Sequence, residues 1–106
     1  MNIIKILNDN DIYITRRNVI GSSVCRKIRI QADEEMNDFI EIPIIYDDSE
    51  EDFIDKYIKA TNEFISKRFI QGEFEIHSNK IDKVKQRLKN VNLMIKEMMW
   101  LKFYCF

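Results

Sequence analysis

Histidine, tryptophan and proline each occur once in this 106-residue chain, and glycine and cysteine only twice. Each scarcity excludes something. A lone His77 cannot begin a histidine metal cluster, and two scattered glycines leave no Gly-rich loop to cradle phosphate. Cys25 and Cys105 have neither metal-ligand spacing nor the pattern of a disulfide framework, so a reduced, cytoplasmic setting is the default. No stretch approaches the roughly 18 apolar residues of a membrane span. The apolar run within Met1–Asp9 is too short for a signal peptide. No catalytic, cofactor or metal motif is present, and neither cysteine has a sequence context that would activate its thiol. An Asp47/Asp48 pair has the residue types for acid–base work, but paired acids ahead of a helix are routine.

What is abundant is isoleucine, 19 residues, with 11 lysines and 9 asparagines against 2 alanines. These favoured residues have AT-rich codons, which points to an AT-rich genome such as that of a phage, a large DNA virus or a low-GC bacterium. With 45% hydrophobic and 33% charged residues, the chain belongs to the folded, soluble class and is long enough for a single core without staples.

Residues 2–7 and 12–17 are rich in β-branched side chains and flank Asn8-Asp9-Asn10-Asp11, which predicts two strands joined by a hairpin turn. Asn18 to Ser23 is then a connecting loop. Val24–Ala32 and Asp38–Tyr46 form a better specified pair. Antiparallel pairing about Asp33–Asn37 sets Ile28 against Ile42 and Ile30 against Ile40 on one face, and Arg29 against Glu41 on the other. Pro43 cannot donate to a ladder, so its strand belongs at an edge or the proline at an unpaired position.

Asp48-Ser49-Glu50-Glu51-Asp52 has a capping side chain followed by acids in the positive first turn. A helix should run from there to about Phe69, burying Phe53, Ile54, Tyr57, Ile58, Phe64, Ile65 and Phe69. Glu73–His77 alternates as a short strand. From Asn79 onward Ile81, Val84, Leu88, Val91, Ile95 and Met98 recur at spacings of three and four, one side of a long C-terminal helix. Four N-terminal strands, a helix, a short strand and a helix make one α+β domain over residues 1–106. Its sheet is mostly antiparallel, with both helices on one face.

Charge is unevenly placed. Residues 1–29 carry six bases and two acids, residues 30–55 eleven acids and no base, and residues 56–106 eleven bases and five acids. A continuous acidic surface built from Asp33, Glu34, Glu35, Asp47, Asp48, Glu50 and Glu51 would imitate nucleic-acid phosphates toward a basic partner. The two acidic groups lie at opposite ends of a strand, about 30 Å apart, and each acid also has a local reason as turn or helix start. Lys80, Lys83, Lys85, Arg87 and Lys89 fit an ordinary solvated helix face. With no interleaved aromatics and a net charge of −1, direct nucleic-acid binding is not expected.

The end of the chain is its most apolar part. A helix from Asn79 to Phe106 would be about 42 Å long, against a sheet about 25–30 Å deep. Met98, Met99, Trp100, Leu101, Phe103 and Phe106 would then overhang the core as a partner-binding surface; the competing arrangement folds the tail back as a strand from about Met98. The expectation is a non-enzymatic protein that binds another protein, as an inhibitor or regulator of the phage, viral or immunity type directed at a nucleic-acid-handling enzyme. The alternative is a homodimer assembled through the C-terminal helix. No cofactor and no membrane association are expected.

Overall fold

The computed structural model describes residues 2–32, 38–67 and 78–104, with the backbone alone described for Ser78, Asn79 and residues 100–104. In chain order the elements are α1 (Ile3–Asp9), β1 (Ile12–Ile14), β2 (Asn18–Ile20), β3 (Ser23–Gln31), β4 (Phe39–Tyr46), α2 (Glu50–Ser66) and α3 (Ser78–Tyr104). This is an α+β fold, with an antiparallel sheet of four strands and a long C-terminal helix.

The nine-residue β3 is the axis of the sheet. It pairs along its whole length with β4, and Ile28 meets Ile42, Ile30 meets Ile40 and Arg29 meets Glu41, the register that the residue alternation predicts. On its other side β1 and β2 lie end to end. Between Ile14↔Ile28 and Asn18↔Cys25, three residues of one strand (15–17) oppose two of β3 (26 and 27), which is a β-bulge. Thr15 stabilises it: its N–H donates to the Lys27 carbonyl at 2.9 Å, and its hydroxyl oxygen accepts the Lys27 N–H at 2.8 Å. Because Lys27 directs its backbone groups toward Thr15, Pro43 opposite it on β4 has no ladder bond to supply. β4 pairs with β3 alone among the described strands, so the proline sits on an edge.

The N-terminal segment departs from expectation. Residues 2–7 form most of a helix rather than a strand, and the expected hairpin turn at residues 8–11 is the helix end. The Asn2 side chain caps by accepting the Lys5 N–H at 3.1 Å, and Lys5 pairs with Asp9 four residues on at 2.7 Å. Ile3 and Leu7, four apart, are buried together. Burial on that spacing outweighs the β preference of isoleucine. Asp11 continues past the cap with φ +58°, a left-handed residue of the kind that commonly ends helices. The segment from Asn18 to Ser23 is likewise not a plain loop. It contains β2 and a two-residue turn in which Gly21 takes φ +61° and Ser22 is not in the left-handed region, as a type II′ hairpin turn requires. Four strands are therefore present among the described residues, with different N-terminal boundaries. The short strand expected at residues 73–77 lies outside the described residues.

All three helices share one apolar core with one face of the sheet. That face carries Ile12, Val24, Ile28, Ile30, Ile40, Ile44 and Tyr46, and it meets Ile3 and Leu7 of α1, Phe53, Ile54, Tyr57 and Phe64 of α2, and Ile81, Val84, Leu88, Val91 and Ile95 of α3. Tyr46 and Phe53 meet edge-on at 5.1 Å, and Phe53 and Tyr57 are stacked at 6.4 Å between centroids. Burial pushes the Tyr57 phenol up from its ordinary pKa. α2 starts with Ser49 accepting the Asp52 N–H at 3.1 Å and stops at Ser66, three residues short of the expected end. No helix among the described residues is long and apolar enough to cross a membrane.

Polar groups fix how α2 and α3 meet. Asn92 lies in the buried stripe of α3 and donates to the Thr61 hydroxyl oxygen at 3.0 Å; that hydroxyl donates in turn to the Tyr57 carbonyl at 2.7 Å. The Asn92 carbonyl oxygen is buried without a partner. Thr61→Val should therefore cost about 1–3 kcal/mol in urea unfolding, because it strands the Asn92 amide. Adding Asn92→Leu should recover part of that loss. A double variant as unstable as the sum of the two singles would show that the pair is not coupled.

Candidate functional site

The backbone of α3 stays helical to Tyr104, so residues 100–104 are not the fold-back strand that competed with an overhang. Its 27 residues span about 40 Å, whereas the nine residues of β3 span about 30 Å. Among the described side chains Ile95 is the last fully buried residue of the stripe. Met98 and Met99 are half-buried, with Met99 packed against the core. Trp100, Leu101 and Phe103 lie on the helix beyond that point, their side chains outside the described set. Phe106 lies outside the described residues altogether.

Leu93 and Met94 extend this surface and belong to neither stripe that sequence reasoning singled out. They are 58% and 38% exposed on a helix whose adjacent Asn92 and Ile95 are buried. At Leu93 and Met94, α3 exposes apolar side chains on its outward side, where the charged Lys96 and Glu97 follow them. The signal was in the sequence: Asn92 occupies a core position while Leu93 and Met94 fall between the core positions Val91 and Ile95. A single 3–4 repeat hides such residues because it counts only one face.

The acidic residues divide between local work and open surface. Asp47 accepts the Ser49 N–H at 3.0 Å and the Ser49 hydroxyl at 2.6 Å, while its own N–H donates to Asp52 at 2.8 Å. Asp48 adopts φ +74° and takes both arms of the Arg17 guanidinium, at 3.0 and 2.6 Å. Glu50 and Glu51 are exposed in the first turn of α2 and make no ion pair among the described residues. Asp33, Glu34 and Glu35 lie outside the described residues.

The bases of α3 are also partly committed. Lys80 pairs with Asp38 at 2.5 Å, Lys85 donates to the Lys67 carbonyl at 2.7 Å, and Arg87 donates to the Gln31 carbonyl. These bonds tie the helix to the ends of β3, β4 and α2, and leave Lys83 and Lys89 exposed. On the sheet face away from the helices Arg29 bonds Glu41 at 3.4 Å and lies 4.2 Å above the Phe39 ring. Cys25 is a half-buried free thiol on that same face. Cys105 and His77 lie outside the described residues. Among the described residues no three His, Cys, Asp or Glu side chains gather as a metal site. No family model matches the chain, and no curated protein or solved structure shows significant similarity to it.

The loop into α2 has a measurable signature. Hydrogen bonds from Arg17 hold the Asp48 carboxyl below the usual carboxylate range, and those from Ser49 do the same for Asp47. Carboxyls whose folded pKa is lowered contribute stability that is present above their unfolded pKa. That contribution is lost as pH falls through the folded value. In an NMR titration, Arg17→Gln should raise the Asp48 midpoint and leave Asp47 low; parallel movement of both would mean that one network holds the two carboxyls.

Proposed function

We propose that this chain is a non-enzymatic binding protein whose contact surface is the outward side of the C-terminal half of α3. The observation that carries the reading is the exposure of Leu93 and Met94 on a helix that continues to Tyr104 through Met98, Met99, Trp100, Leu101 and Phe103. Exposed apolar side chains grouped on one element are typical of interfaces, and methionine and aromatic residues are enriched in interface cores. A partner that packs on this surface would extend the core stripe of α3 outward, and inhibition or regulation of that partner is the activity such a domain can exert. Glu50 and Glu51 offer a subsidiary acidic contact, consistent with a basic partner such as a nucleic-acid-handling enzyme. Asp47 and Asp48 contribute less to it, being engaged in capping and in the Arg17 pair.

Self-association is the second reading, and it has its own observation. Lys89 and Glu97 are both exposed and stand four residues before and after Leu93. Two antiparallel copies of α3 crossing at Leu93 would place Lys89 of each copy opposite Glu97 of the other, with Leu93 against Leu93.

Two measurements separate the readings. Affinity capture from host lysate should retain a partner with the full chain and lose it with Leu93→Glu/Met94→Glu, while circular dichroism stays unchanged. Identical capture by both forms would reject the proposed surface. Light scattering should show a dimer if copies self-associate; Lys89→Glu should then weaken it and Lys89→Glu/Glu97→Lys restore it. A monomer at all concentrations would remove that reading.

A further inference from the structure

The face of the sheet that packs against the helices is apolar except at one position. Along the strands it presents Ile12 and Ile14, then Val24, Ile28 and Ile30, then Ile40, Ile42, Ile44 and Tyr46. Arg26 falls among them, because it alternates with Val24 and Ile28 and is paired with Ile44. An arginine on the buried side of a sheet is costly unless its charge is met. Its Nε is nonetheless buried without a hydrogen-bond partner. Asp48, which feels the Arg26 charge, is already held on both oxygens by Arg17.

The fold leaves space where Arg26 emerges. The bulge at residues 15–17 interrupts the strand beside it, and the starts of α1 and α2 flank the opening. The result is an open cavity of about 450 Å³ lined in part by Arg26, within the range of small-ligand sites. Ile3, Ile4, Ile14, Tyr46 and Phe53 form its apolar walls, with Asp48, Ser49 and Glu50 along the rim. The α2 terminus is not the anchor. Ser49 meets the Asp52 N–H, and the first turn carries three acids.

We infer that this cavity binds a small carboxylate with an apolar body, its carboxylate on the Arg26 guanidinium and its body against Ile3, Ile14, Tyr46 and Phe53. A guanidinium pairs a carboxylate in a two-pronged geometry. The charge present selects a monoanion. Arg17 holds Asp48 on both oxygens, and Arg26 also acts on Asp48 through space. Glu50 adds a second carboxylate to the lining, so a dianionic phosphate would meet more repulsion than attraction. The aromatic pair Tyr46–Phe53, edge-on at 5.1 Å, favours a flat or flexible apolar body. The site shares no residue with the α3 surface, so it stands or falls independently of the protein-binding reading.

The test is calorimetric titration of the full chain with sodium 4-phenylbutyrate, alongside neutral 4-phenyl-1-butanol and inorganic phosphate, with amide NMR shifts to locate binding. Phenylbutyrate should bind one per chain and shift the residues around Arg26, Ile4 and Phe53. The alcohol and phosphate should bind at least about tenfold more weakly, given the strength of hydrogen bonds to charged groups. Arg26→Gln should reduce phenylbutyrate to the level of the alcohol. Ile4 and Glu50 are exposed, so variants there report on the site even where Arg26→Gln does not fold. Ile4→Glu should weaken phenylbutyrate binding and Glu50→Gln should tighten it. Equal affinity for acid and alcohol, tighter binding of phosphate, or the absence of shifts around the cavity would each overturn the proposal.

Discussion

Everything in this domain depends on one pairing, β3 against β4 with Ile28 opposite Ile42 and Arg29 opposite Glu41. Side chains alternate strictly along both strands, so a slip of one residue would turn Arg29 and Glu41 into the core and expose a row of isoleucines. The register thus decides which side the helices cover. It also decides that Arg29 reaches Glu41 and Phe39 on the open face while Arg26 is carried to the covered one. Pro43 is compatible with this register because it stands opposite Lys27, whose backbone groups serve the bulge on the other side.

On that foundation α3 works as a cover with two characters. Its inner stripe is fully buried from Val84 to Ile95 and is held in place by polar bonds at intervals, from Lys80 to Asp38, Arg87 to the Gln31 carbonyl and Asn92 to Thr61. Apolar packing alone permits a helix to slide by a turn at modest cost. A buried amide that must find one hydroxyl does not. The helix outruns the strands it covers, and it exposes Leu93 and Met94 on its outward side. Buried and exposed apolar side chains therefore share one element.

Charge plays several roles that a count by segment merges. Asp47 and Asp52 organise the start of α2, Asp48 binds Arg17 across 31 residues of sequence, Asp38 receives Lys80, and Glu41 receives Arg29. Among the described residues Glu50, Glu51 and Asp55 make no ion pair, while five of the eleven acids thus have separate local partners. These exposed pairs contribute little stability individually; they position loops and helix ends.

Much of this was legible in the residues themselves. The β3–β4 register, the edge proline, the Ser49 helix start and the α3 core stripe all follow from alternation and 3–4 spacing, because each is a local pattern whose burial is set by geometry within one or two elements. Residues 2–7 were not legible. Isoleucine favours strands, and the helix forms because Ile3 and Leu7 find a core that β1 and α3 supply from elsewhere. The same holds for the bulge at Thr15, the union of Arg17 with Asp48, and the cavity around Arg26, each of which needs segments distant in sequence to meet. Periodicity determines which side of an element is apolar. Only the tertiary structure decides whether a partner within the chain covers that side, and that decision leaves Leu93 and Met94 open and Arg26 half-buried with its Nε covered.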